Sequence, residues 1–223
     1  MPKIVLTNNH FHFNGVNYYT GGAEEVVCGS IGEKMTPVFG VNRLSVKDAI
    51  QPGHIQGVKS TVVEFDETNS SRNAFGATVA AIVKGIPVKV AGDVAFSKLT
   101  QREFKLVKFS VPNEQMKKAA NASPAALQNL IHYGNDARIA HQIFFLMEGK
   151  ESTHFDNDVS VSLSVGKGVI EATVNGSHTS SQDITITMAN VTLAYLLAKI
   201  DWDARQDKNK TAITDLDDDP WGP

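Results

Sequence analysis

Val159-Ser160-Val161-Ser162-Leu163-Ser164-Val165 alternates apolar and hydroxyl side chains without a break. Alternation of period two puts one set on each face of an extended strand. One face is wholly apolar and the other is small and polar. After Gly166-Lys167-Gly168 the pattern restarts, with Ile170, Ala172 and Val174 opposing Glu171, Thr173 and Asn175. Two such runs joined by a short Gly-containing break predict a β-hairpin. Its apolar stripe, Val159, Val161, Leu163, Val165, Ile170, Ala172 and Val174, suits two settings. One is a hairpin packed on a water-soluble core. The other is a transmembrane barrel stave, which needs lipid-compatible residues on one side and water-compatible residues on the other.

Outward from this hairpin the chain reads as sheet, small helices, sheet. Residues 1–44 are short strands punctuated by Asn8-Asn9, Asn14-Gly15 and Gly21-Gly22. Ser45 to Ile50 reads as one helical turn capped by Ser45 and stopped by Pro52-Gly53. Residues 55–111 form a second amphipathic region. Apolar side chains recur on alternate positions there, with a one-residue shift of phase at Lys84-Gly85 that predicts a bulge or a bend, and another shift between Leu106 and Val107. Lys89, Lys98, Arg102, Lys105 and Lys108 are interspersed among them. Glu114 to Ala120 is a good helix former. Ser123-Pro124 places an N-cap and a first-turn proline before a second helix, which stops at Gly134. Residues 139–147 and Ile184 to Met188 are strands, and Leu193 to Ile200 suits helix or strand. From Asp203 the chain is polar, with Ile213, Leu216 and Trp221 as docking points. The fold class expected is α+β: a twisted, mainly antiparallel sheet with two amphipathic hairpin regions and small helices packed on it.

Composition narrows the chemistry. The chain has 223 residues, 42% of them hydrophobic, and a net charge of −3. Between Arg72 and Lys118 nine bases face three acids, whereas from Asp201 onward seven acids face three bases. A basic body with an acidic tail points to an anionic partner or to internal charge pairing. The single Cys28 excludes an internal disulfide and fits a reducing compartment. Apolar runs such as Ile143 to Met147 fall far short of the ~18 residues of a membrane helix, so any insertion would use strands. His10 and His12 share a strand face, yet no nearby Cys or carboxylate completes a metal set. His154 lies near Asp156 and Asp158 in a polar break where nothing orients a triad. There is no phosphate loop, dinucleotide fingerprint, zinc spacing or nucleophile elbow. The expectation is a non-enzyme without cofactor or metal. Nucleic acid is not the expected partner, because the aromatic residues alternate with the charges and face the core.

From Pro37 to Ile200 the order of features resembles the pore-forming domain of the gasdermin family. The matching features are a short helix at Leu44 to Ile50 with Lys47-Asp48, a long strand pair in residues 57–111, and a helix from Pro124 to Tyr133 ending at a glycine. They continue with an apolar strand running into Glu148, the strand Ile184-Thr185-Ile186, and Leu193-Ala194-Tyr195 where the family often has Leu-Ala-Phe. The chain departs from the pattern at Thr187, where the family commonly has Pro. It departs again in residues 1–20, which carry only Lys3 where the family's first helix is basic. The resemblance is to short microbial and fungal members, held in check by a small tail or none. It implies a pore-forming domain over residues 1–200 and an acidic, mobile tail over 201–223. It further implies a protein that is cytoplasmic when inactive and acts at the cell membrane. Such a protein binds anionic phospholipids through Lys89, Lys98, Arg102, Lys105 and Lys108, and an activating protease releases it. It then assembles as a homo-oligomer, or with a related chain, into a β-barrel. The competing expectation is a non-catalytic β-rich interaction module with the tail as a docking peptide.

Overall fold

The computed structural model describes residues 4–7, 9–63, 104–155, 159–166, 169–175, 183–189, 192–202 and 212–222. In chain order the strands are β1 (Ile4–Leu6), β2 (His10–Phe13), β3 (Val16–Tyr19), β4 (Ser30–Met35), β5 (Arg43–Ala49), β6 (Val58–Val63) and β7 (Phe104–Ser110). Helices α1 (Asn113–Asn121) and α2 (Pro124–Tyr133) follow. Then come β8 (Ala137–Glu148), β9 (Val159–Gly166), β10 (Val169–Val174), β11 (Ile184–Ala189), β12 (Thr192–Trp202) and β13 (Ile213–Asp219).

All these strands join one sheet, and every strand pair within it is antiparallel. The two longest strands, β8 and β12, form its spine, with Tyr195 opposite Ile143 and Lys199 opposite Arg138. The sheet forks on both sides of the spine. Residues 142–148 of β8 pair with β7, while residues 137–139 pair with β4. On the other side, β12 meets β3 at Tyr195 and meets β13 from Leu197 to Trp202. One arm runs outward from β7 through β6, β9 and β10 to β11.

The near-continuous apolar run of β8 follows from burial on both faces. Ile143, Phe145 and Met147 join the core under the helices, together with Val107, Phe109, Met116, Ala120 and Leu130. Phe144 points the opposite way, into a second cluster with Phe11, Phe13 and Tyr18. Those three rings meet Phe144 edge-on, with centroids 4.8, 5.3 and 4.7 Å away. Each such contact contributes about 0.5–1.5 kcal/mol beyond its buried area. This pins the β2–β3 hairpin to the spine. Its turn, Asn14-Gly15, has φ of 49° and 81°, the left-handed pair that a two-residue hairpin turn requires.

Three sequence expectations are corrected. Ser45 to Ile50 is not a helical turn: Arg43–Ala49 is a strand paired with β4, Ser45 facing Glu33. Six residues are too few to offset helix nucleation, and β4 offers a complete ladder. The helix at Leu44 to Ile50 on which the resemblance partly rested is therefore a strand. No phase shift separates Leu106 from Val107, since β7 runs in unbroken register with both neighbours and buries the two residues on opposite faces. Within the expected acidic tail, Ile213–Asp219 is a strand of the sheet, paired with β12. Leu193 to Ile200 is resolved as strand, within β12. Ser123 precedes α2 without capping it; its hydroxyl donates to Ala119 O at 2.9 Å. The expected bulge at Lys84-Gly85 and the carboxylates Asp156 and Asp158 lie outside the described residues.

Candidate functional site

The predicted hairpin forms with Leu163 opposite Ala172 and Val161 opposite Val174, and β11 extends it with Ile186 opposite Ala172. Val161, Ile170, Ala172, Val174 and Ile186 are buried in the helix-side core, while Val159, Leu163 and Ile184 pack against it half-buried. Val165 stands opposite Ile170. The opposite parity faces water: Ser160, Ser162, Ser164, Glu171, Thr185 and Thr187 are exposed. They form cross-strand rows, Ser162–Thr173–Thr185 and Ser164–Glu171–Thr187, and the two threonine hydroxyls of the first row bond at 3.2 Å. The three strands are therefore a wall with one apolar side and one hydroxyl side, the latter carrying the single carboxylate of Glu171. Beneath the wall lies an apolar cavity of ≈ 10 Å³ lined by Val27, Cys28, Ile55, Ile143, Leu163 and Ile170. It has room for about one water. Burial pushes the Cys28 thiol up to about 12, which makes it a packing residue rather than a nucleophile.

Of the expected headgroup cations, Lys89, Lys98 and Arg102 lie outside the described residues. Lys105 and Lys108 stand on β7 three residues apart, hence on opposite faces. Lys105 is exposed. Lys108 is half-buried, its ammonium 5.7 Å from the Tyr18 ring centroid and 5.9 Å from that of Phe144. Burial lowers its pKa, with Asp218 pulling the other way. In this conformation Lys108 is committed to the aromatic cluster rather than presented to solvent.

One surface feature was missed. The loop joining β4 to β5 carries Val38 and Phe39 at 90% and 96% exposure, beside half-exposed Met35. An apolar pair between Pro37 and Gly40, two turn residues, was the signal available in the sequence.

The C-terminal segment is held along both of its edges. Its ladder to β12 runs from Leu197 opposite Asp219 to Trp202 opposite Ile213. Along its other side, α1 supplies side chains. The Asn121 amide donates to Ile213 O at 3.0 Å and accepts from Ile213 N–H at 2.8 Å. Lys117 Nζ donates to Thr214 O at 3.1 Å, and Asn113 Nδ2 to Asp218 at 2.9 Å. Asp219 accepts from Arg138 Nε and, at 3.0 Å, from Lys34 Nζ. Burial alone would raise the Asp219 carboxyl, but the hydrogen bonds from Arg138 and Lys34 outweigh it and hold the carboxyl below its ordinary range. Burial alone would lower Lys34, but its bonds to Tyr19 and Asp219 leave it raised.

Buried His141 lies one rung away. Its Nδ1 bonds Val111 O at 3.2 Å and its Nε2 faces Asp218 at 3.3 Å. Burial lowers its pKa, Asp218 opposes the shift, and Lys108 adds to it. Past the strand, Trp221 N–H donates to Asn17 O at 2.9 Å, and its ring stacks on His10 with centroids 4.3 Å apart. His10 thus serves as a platform for the tail, and His12 bonds Asn17 at 2.7 Å.

Among the described residues no three His, Cys, Asp or Glu side chains group as metal ligands, and no helix is long and apolar enough to cross a membrane. No known protein family, curated protein or solved structure matches the chain.

Proposed function

We propose that this chain is a pore-forming effector of cell death. It binds anionic membrane lipids, oligomerises and turns the β9–β10 hairpin into staves of a transmembrane barrel. The observation that carries this reading is the β9–β11 wall, continuous hydrocarbon on one side and uncharged hydroxyls with one carboxylate on the other. A barrel stave needs lipid on the first side and a watery lumen on the second. The wall spends its apolar face on the protein's own core in the present state. Leaving that core for water costs about 1.5–3 kcal/mol per large side chain, whereas leaving it for hydrocarbon is near neutral. The hairpin therefore moves only where a bilayer receives it.

β9 has 8 residues and β10 has 6, while a span needs about 9–11. Both strands must lengthen on insertion, and ring closure among copies then removes the strand edges that lipid does not tolerate. Exposed Phe39 and Val38 supply a membrane-facing tip. Lys105, with Lys89, Lys98 and Arg102, supplies headgroup contacts, each worth about 1 kcal/mol at an anionic surface. The acidic tail screens the body until a protease or a partner displaces it. The chain then passes from the cytoplasm to the cell membrane, alone or with a related chain.

The test is dye release from phosphatidylserine or cardiolipin vesicles compared with phosphatidylcholine ones, by the intact chain and by a chain cut in residues 204–210. Release that depends on anionic lipid and weakens at high salt supports the proposal. Absence of release from every vesicle, cut or intact, overturns it in favour of a non-catalytic interaction module. Val161→Asp is a poor probe, because Val161 is 4% exposed and the variant would lose its soluble fold first.

A further inference from the structure

The tail is bound as a peptide ligand is bound, and this points beyond the membrane reading. Among the described residues β13 has a ladder on one edge only, to β12, and its other edge lies along helix α1. β12 reads its backbone on one edge; on the other, Lys117 and Asn121 of α1 bond the backbone and Asn113 bonds the Asp218 carboxylate. Of this strand only Ile213 and Leu216 are buried, at the margin where β12 meets α1. Charge complementarity fixes the register. The acceptor side presents Lys34, Arg138 and Lys117, and the strand presents Asp218 and Asp219. Tyr19 OH donates to Pro220 O at 3.4 Å, and Trp221 closes the far end on His10. Main-chain pairing for affinity, with pockets and charges for specificity, is the logic of recognition by β-strand addition.

We infer that the groove between β12 and α1 is a binding site for an acidic extended segment, filled in cis by residues 212–222 and able to accept the same segment of a second copy in trans. The ligand it selects carries apolar residues three apart, two carboxylates following them and an aromatic residue two positions beyond the second, as in Ile213, Leu216, Asp218, Asp219 and Trp221. Asp215 and Asp217, which face water, keep such a segment soluble when it is free. In the bound chain the tail competes through its high local concentration; once the connection is opened, copies compete on equal terms.

The experiment uses the whole chain with a protease site placed in residues 204–210, cut after purification. A fluorescent peptide of residues 212–223 is then added as the probe. The expected result is that the cut protein keeps a cooperative melt, and that the labelled peptide exchanges for the resident tail with saturable binding. Peptides carrying Asp219→Asn or Trp221→Ala should bind at least about 30-fold more weakly. Unfolding of the body on cutting would overturn the inference, because the tail would then be an integral part of the fold rather than a ligand. Failure of the peptide to exchange, or equal binding of a shuffled peptide of the same composition, would overturn it as well. None of these outcomes depends on whether the protein permeabilises vesicles.

Discussion

Asp219→Asn removes the charge that two cations share. The Asp219 side chain is 17% exposed, Arg138 9% and Lys34 19%, so the cluster sits between a surface pair and a buried one. Breaking a fully buried pair by removing one partner costs about 3–5 kcal/mol, and an exposed pair is worth about 0.2–1 kcal/mol. Asparagine keeps one acceptor but leaves the buried guanidinium and the half-buried ammonium without a countercharge, which places the loss at about 2 kcal/mol. For a domain of this size that lowers Tm by about 4–8 °C. The assay is calorimetric or circular-dichroism melting at pH 7, with Asp217→Asn as the matched control. Asp217 is exposed and makes no ion pair among the described residues, so its variant should stay within about 0.5 kcal/mol of the parent. The sign with pH is fixed too. The Asp219 carboxyl is held below its ordinary range, so its stabilisation is complete above that range and fades as pH falls through the lowered value. The gap between parent and variant should therefore close in strong acid. Equal melting of Asp219→Asn and Asp217→Asn at pH 7 would refute the reasoning.

Gly32→Ala should be among the most damaging substitutions. A Cβ there would stand 2.0 Å from Ser45 O, backbone that cannot yield, at the bulge between Ile31 and Gly32. A loss of about 2–3 kcal/mol in chemical denaturation is expected, and a parent-like midpoint would contradict it. His141 is held neutral by burial, so the unfolded chain takes up a proton first as pH falls. Tm should drop as pH falls from about 6.5 toward the lowered pKa of His141, with His10 adding the same sign, and His141→Gln should flatten that slope. An unchanged slope would sink this assignment. Phe39→Ser should leave Tm unmoved, since the side chain is 96% exposed. It should weaken vesicle partitioning by about tenfold or more, in line with the ~1.5–3 kcal/mol of a buried Phe. Equal partitioning would remove the loop from the membrane contact.

Much of the fold was legible where pattern and tertiary demand agree. The alternation in β9 and β10 named both strands and the buried parity, and Asn14-Gly15 named a turn that only left-handed φ values satisfy. Ser45 to Ile50 misled because its local signals, a capping serine and a downstream Pro-Gly, are also those of a strand entering a turn. Pairing with β4 decided between them. Leu106-Val107 misled for a different reason: two adjacent buried residues suggest a phase shift only if one sheet face is wet, and β7 has apolar neighbours on both faces. In the tail, composition spoke of charge and hid the pairing. Nothing local to Ile213–Asp219 announces that Asn121, Arg138 and Lys34, up to 185 residues away, converge on it. Phe39 was readable with Val38 as an apolar pair set between Pro37 and Gly40.

Ser162→Lys tests the stave most directly. Ser162 is exposed on the hydroxyl side of β9, so a lysine there leaves the soluble fold intact. If β9 becomes a stave with this side toward the lumen, the cut chain will still permeabilise anionic bilayers, and a ring of added cations will shift its channels toward anion selectivity in reversal-potential measurements. Channels of unchanged selectivity would contradict the hairpin assignment. So would loss of all conductance by a variant whose melting temperature and vesicle binding match the parent's, since that would put the serine side of the hairpin against lipid.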